Sequence, residues 1–243
     1  MADANNPLAQ FVIQPLIPIK LGELDASFTN SSLFMVLTVV AATVLMVLAV
    51  RPRAAVPGRW QLMAELSYEF IAKMVSDNVG KEGKPYFSFI FTIFMFVLFG
   101  NFLGMLPYSF TFTSHIAVTL TMALVIFLLV TVIAFMKHGM HFFSFFLPAG
   151  VPIFLAPLMI AIEVISYFTR PFSLSIRLFA NMMAGHTLLK VVGGFVFPLG
   201  LLGIVPVAGL VAITGLEFLI AFLQAYIFTI LTCIYINDAI HLH

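Results

Sequence analysis

Glu163, Arg170, Arg177, Asn181, His186, Lys190, Glu217, Gln224 and Asp238 stand in a stretch, residues 142 to 243, whose hydrophobicity otherwise hardly stops. Their side chains can accept, release or attract protons. A charge at the centre of a membrane helix costs about 2.5 to 3.5 kcal/mol on insertion scales, so ionisable residues kept there mark a transport path or a paired structural contact. The chain holds no Gly-rich phosphate loop of the GxxxxGK type, which places nucleotide chemistry elsewhere.

Spacing arranges these residues into stripes. Glu163, Arg170 and Arg177 are seven apart, as are Glu217 and Gln224, with Asp238 fourteen further on. Seven residues are nearly two helical turns, so each set lines one face of a helix. If the two segments run antiparallel, Glu163 comes level with Asp238, Arg177 with Gln224, and His186 with Glu217. His186 follows Arg177 by nine residues, about 180° around a straight helix. Either a bend near Pro171 or Gly185 brings it into Arg177's stripe, or the path wraps around the helix.

Arg177 is the decisive residue. A guanidinium stays protonated in any ordinary environment and needs a carboxylate or several acceptors once it leaves water. In the antiparallel arrangement Glu217 stands about 10 Å from its depth and Glu163 about 20 Å away. No acid of this chain is level with it, which implies a counter-ion carried by another chain.

The elements that must hold these residues are membrane helices. The chain has 243 residues, 62% hydrophobic and 9% charged, with a mean hydropathy of +1.14. Residues 32 to 50 are uncharged and long enough to cross roughly 30 Å of hydrocarbon. Residues 86 to 106, interrupted by Gly100, Asn101 and Gly104, and residues 115 to 136 predict a transmembrane hairpin joined by PYSFTFTS. In residues 60 to 77, Met63, Leu66, Phe70, Ile71, Met74 and Val75 share one helical face against Glu65, Glu69, Lys73, Ser76 and Asp77, so an interfacial helix is expected over 60 to 80. Hydropathy leaves the second half open between three ordinary spans and two helices of about 40 residues, Val151 to Val192 and Ile204 to Ile240. Each of the latter would be about 60 Å long and steeply tilted.

Charge sets the orientation. The segment from Arg51 to Lys84 carries six Lys or Arg residues and Lys137 follows the third span, whereas PYSFTFTS has no charge. The N-terminal tail, residues 1 to 31, is therefore expected outside; it lacks the basic start and apolar run of a signal peptide. With an odd number of spans the C-terminus lies inside. The scattered basic residues exclude a nucleic-acid surface. The single cysteine, Cys233, excludes an internal disulfide and reads as a buried thiol. His138, His141, His241 and His243 fall at membrane ends, where anchoring or solvation is expected rather than haem ligation; no cofactor is expected.

The run SLSIRLFANMMAGH, Ser173 to His186, closely resembles the signature of subunit a of F-type ATP synthases, an arginine followed four residues later by asparagine. The resemblance continues through GLEFLIAFLQAYIFTILTCIYINDAIH, Gly215 to His241, and through GNFLGMLP, Gly100 to Pro107. It implies an all-α integral membrane protein forming one domain over 1 to 243, with five transmembrane helices, one in-plane amphipathic helix, and a last pair that is long and strongly tilted. It also implies that Arg177 is the essential stator charge. Asn181, His186, Glu217 and Gln224 would belong to an outer aqueous half-channel, Glu163 would line an inner one, and Asp238 would join the proton path. A common bacterial arrangement has an acid where His186 stands and a histidine where Glu217 stands; the exchanged order here resembles the alphaproteobacterial and mitochondrial branch.

The implied activity is proton translocation that turns a ring of c subunits, without catalysis in this chain. The implied partners are that ring, b-type peripheral stalk subunits, indirectly the F1 sector, and membrane lipid. The expected location is a bacterial inner membrane, with a mitochondrial inner membrane as the alternative. A secondary proton-coupled transporter would also keep ionisable residues at the midplane. The two halves of this sequence, however, show no internal repeat and no matched pair of broken helices.

Overall fold

The computed structural model describes residues 11–21, 24–25, 27–51, 57–106, 109–140, 142 and 154–241. The expectations for residues 1 to 10, for His141 and His243, and for a helix start at Val151 lie outside the described residues. Among the described residues six α-helices follow one another: α1 Asn30–Val50, α2 Arg59–Val79, α3 Phe87–Gly104, α4 Ile116–His138, α5 Ala156–Gly194 and α6 Ile204–Ile240.

Local chemistry sets several ends. Thr29 caps α1, its hydroxyl accepting from the Ser32 amide at 3.3 Å. α2 stops at Gly80, whose φ of 73° is open to glycine and strained for other residues. α5 and α6 run for 39 and 37 residues, about 55–60 Å each at the α-helical rise. The two-long-helix alternative is therefore the one the chain adopts, and α5 continues through Pro171.

Ahead of α1 the chain makes two small antiparallel pairings, β1 Pro15–Ile17 with β4 Phe28–Thr29 and β2 Lys20–Leu21 with β3 Leu24–Asp25. This nested hairpin was not foreseen from the sequence. Phe11 just before it meets the connection between α3 and α4: the His115 Nε2 lies 2.8 Å from the Phe11 carbonyl oxygen, and His115 stacks on Phe110 at 5.0 Å.

α1 buries a face of small residues and turns an aliphatic one outward. On α1 the buried positions are Ser31, Thr38, Ala42 and Ala49, while Val36, Val40, Val44 and Val47 are exposed. Such a surface suits lipid, where close packing of small residues draws helices together. Polar bonds cross the bundle: Thr119 to Ser175 at 3.0 Å and Thr131 to Tyr167 at 2.7 Å join α4 to α5, and the Asn101 amide donates to the Ala221 carbonyl at 3.3 Å, joining α3 to α6. The Cys233 thiol is fully buried, as expected.

One expectation stands only in its coarser form, and another needs correction. Among the described residues four stretches are long and apolar enough to cross a membrane, α1, the α2–α3 stretch, α4 and α6, so the count of five spans is not reached on length and composition. α5 is not among them, because Glu163, Arg170, Arg177 and Lys190 lower its hydropathy. The expected apolar face of α2 is divided: Ile71, Met74 and Val75 are buried with Gln61 and Ala64, whereas Met63, Leu66 and Phe70 are exposed. The contact arc is rotated because α2 packs on α1, α3 and α6 along its Ala64, Ile71 and Val75 side.

Candidate functional site

α5 and α6 run antiparallel along one seam. Near the α3–α4 connection His186 faces Glu217, with Nδ1 3.8 Å from Oε1, close enough for ionic attraction and too long for a hydrogen bond. The imidazole is fixed on both sides. Nδ1 lies 3.0 Å from the Met182 carbonyl oxygen, one turn back, and Nε2 lies 3.0 Å from both the Gly104 carbonyl oxygen and the Thr111 hydroxyl.

Glu217 is 7% exposed, and neither of its carboxylate oxygens has a hydrogen-bond partner among the described residues. Gly185 makes room for it: a Cβ there would stand 2.3 Å from Glu217 Oε1. Further along, the Asn181 amide donates to Gln224 Oε1 at 3.0 Å, while the buried Gln224 Nε2 and the Asn101 Oδ1 have no partner among the described residues. A run of buried polar atoms thus follows α6 from Glu217 to Gln224. Unpaired buried polar atoms are held against a desolvation penalty of about 1–3 kcal/mol each unless water or an exchanging proton meets them.

At the opposite end Arg170 Nη1 donates to Asp238 Oδ2 at 3.1 Å. The guanidinium carbon lies 5.7 Å from the Tyr167 ring centre and 5.4 Å from that of Tyr235, both within cation–π range. This corrects the expected register. Asp238 meets Arg170 rather than coming level with Glu163, and Gln224 meets Asn181 rather than Arg177; only His186 with Glu217 holds as expected. From one ion pair to the other, 16 positions pass on α5 against 21 on α6. Equal steps would require parallel straight axes and short side chains, and neither holds for helices that cross and an arginine that reaches along its own. Glu163 is half-buried, with no hydrogen bond or ion pair among the described residues.

Arg177 joins none of these pairs. It is exposed, and no hydrogen bond or ion pair joins it to a described residue. His186 points instead toward α3, so the two do not share a stripe, and α5 stays helical between them. The polar path wraps around the helix. Ser173, Ala180 and Ala184, the small neighbours of Arg177 on its face, are likewise exposed.

Thr111 and the two tyrosines were not singled out from the sequence, and Gly185 was named only as a place for a bend. Gly100 and Gly104 stood out only as interruptions of an apolar run, and that spacing was the available signal.

Six helices with charged and amide side chains along a shared seam define an integral membrane protein of the ion-translocating class. The chain belongs to the family described as ATP synthase A chain, whose model matches residues 32–237. It is 61% identical to ATP synthase subunit a of Paramagnetospirillum magneticum, over 98% of this chain and 99% of that protein. It is 58% identical to ATP synthase subunit a of Rhodospirillum rubrum, over 98% and 100%. With that of Pelagibacter ubique it shares 57% identity over 99% of both chains.

Proposed function

We propose that this chain is the non-catalytic stator proton channel of an F-type ATP synthase, working against a ring of c subunits that each carry one membrane carboxylate. The observation that supports the reading is Arg177: a permanent cation on an exposed face, with no ion pair to an acid among the described residues and with small neighbours that let another helix approach closely. Its counter-ion is the ring carboxylate. Five helices, α1 and α3 to α6, span the membrane, and α2 lies at the inner interface. α5 completes the count because its charges face the seam and the ring instead of lipid. The N-terminus is outside and the C-terminus in the cytoplasm of a bacterial cell. The b-type stalk subunits hold the chain against the ring, and the F1 sector makes the ATP.

In this mechanism a proton enters from outside through His186 and Glu217, passes the Asn181 and Gln224 amides, and neutralises a ring carboxylate, which can then face lipid. After nearly a full turn that carboxylate releases its proton toward the inner side, past Glu163 and alongside Asp238, which Arg170 holds fixed at the edge of that path. Arg177 keeps the carboxylate between the two openings ionised, and its fixed charge repels a proton that would cross directly. Rotation is then the conducting route. The membrane potential supplies about 2.3 kcal/mol per charge per 100 mV, so several protons combine for each ATP.

Arg177→Ala tests this. Membrane vesicles should hold the assembled complex in normal amount, by blotting, yet show neither ATP-driven pumping nor proton-driven synthesis. Arg177→Lys should not rescue fully, because an ammonium lacks the planar fork and can lose its proton. Near-normal coupled pumping by assembled Arg177→Ala would refute the assignment.

A further inference from the structure

The turn between α3 and α4 is seated by two glycines of α3. A Cβ on Gly100 would stand 2.5 Å from the Phe112 ring, and one on Gly104 would stand 2.7 Å from both Thr111 Oγ1 and Thr111 Cγ2. Phe112 is 1% exposed and Thr111 4%. The socket fixes the Thr111 hydroxyl between two groups: Oγ1 donates to the Gly104 carbonyl at 2.8 Å and lies 3.0 Å from His186 Nε2. The same carbonyl is 3.0 Å from Nε2.

These contacts close in either charge state of the imidazole. When His186 is neutral with its proton on Nδ1, that proton goes to the Met182 carbonyl, and Nε2 needs a donor. Thr111 is the hydroxyl within reach, and it can turn its hydrogen onto Nε2. When His186 takes up a second proton, Nε2 becomes a donor. It then gives to the Gly104 carbonyl and the Thr111 oxygen, while the Thr111 hydrogen swings back to Gly104. A hydroxyl is both donor and acceptor and rotates freely. Without it, the neutral tautomer protonated on Nδ1 would leave the Nε2 lone pair facing a carbonyl oxygen with no donor.

We propose that Thr111 is a positioning residue for His186, its hydroxyl completing the imidazole's hydrogen bonds both before and after the ring takes up a proton. The inference rests on the reading that protons pass through His186. It assigns Gly104 a part as well, since a side chain there would displace Thr111 from the ring.

The test compares proton-driven ATP synthesis in vesicles carrying the whole complex, with subunit content checked by blotting. Thr111→Val keeps the shape and removes the hydroxyl; it should slow synthesis about tenfold, the rate equivalent of one lost hydrogen bond. Thr111→Ser should retain most of the rate, and Gly104→Ala should resemble Thr111→Val. In a His186→Ala background, where a slower residual rate is expected, adding Thr111→Val should change that rate less than about twofold. A Thr111→Val complex at the normal rate beside a slow His186→Ala complex would overturn this inference and leave the channel reading intact. So would a Thr111→Val loss of equal size in the His186→Ala background. A normal rate for His186→Ala itself would instead remove His186 from the path.

Discussion

At one end of the α5–α6 seam Arg170 and Asp238 meet at 3.1 Å beside two tyrosine rings; at the other, Glu217 stands 3.8 Å from His186 with neither carboxylate oxygen hydrogen-bonded among the described residues. The first pair is a direct ion pair whose side chains are 24% and 28% exposed. The second is deeper, at 12% and 8%, yet less completely bonded. Stability alone would arrange matters the other way, since the deeper a charge lies the more it needs partners. A carboxylate that is buried, close to an imidazole and left without donors suits a proton that comes and goes. A guanidinium held by a carboxylate and two rings suits a fixed fastening between helices.

The sharpest way to break this contrast is to exchange the members of the deeper pair. His186→Glu and Glu217→His, made singly, should each slow proton-driven synthesis more than about tenfold, since positioned proton-transfer groups commonly contribute 10²–10⁴-fold. The double exchange should recover more activity than either single change, because the acid and imidazole would again face each other. Losses that simply add across this cycle would show that the two groups act independently.

Arg170→Ala sharpens the other side. Removing one partner of a buried pair costs about 3–5 kcal/mol, but partial exposure of both side chains lowers the expectation here to about 1–2 kcal/mol. Thermal unfolding of the purified complex should show that loss, and Arg170→Gln with Asp238→Asn together should recover much of it. Unchanged thermal stability combined with abolished pumping would move Arg170 from fastening to path.

How far this contrast was legible in the sequence differs residue by residue. Arg177 and Asn181 stood out as polar side chains in an apolar run, and the roles expected of them came from the family resemblance. His186 with Glu217 followed from antiparallel pairing alone. The same reasoning misplaced Asp238, because a constant register ignores helix crossing and the reach of Arg170. Thr111 was out of view, lying 75 positions from the ring it bonds, in a loop whose socket depends on two glycines of another helix. The buried arc of α2 was misjudged for a similar reason: a hydrophobic face can be read from periodicity, but which part of it meets neighbours depends on where those neighbours are.

The smallest expected effect lies at the bundle end nearest the α6 C-terminus, where Glu82 bonds to Lys137 and His241 Nε2 stands 3.9 Å away. Its side chains are 41%, 53% and 52% exposed for Lys137, Glu82 and His241, so solvent screens the cluster. The hydrogen bond from Lys137, and then its charge, hold the Glu82 carboxyl below its ordinary value of 4.5, with a lesser contribution from His241. A carboxyl whose value falls on folding binds protons less readily in the folded state than in the unfolded one. Its stabilisation is therefore complete above about pH 4.5 and disappears as pH falls through the lowered value. Lys137→Ala should unfold slightly earlier than the wild-type chain in detergent at pH 7 and low salt. The difference should shrink below pH 4.5, and it should also shrink near 1 M salt, where the screening length is about 3 Å. A difference in melting temperature that persisted unchanged at acid pH and high salt would mean that Lys137 acts by packing its stem, and the end of the bundle would then be held by contact instead of charge.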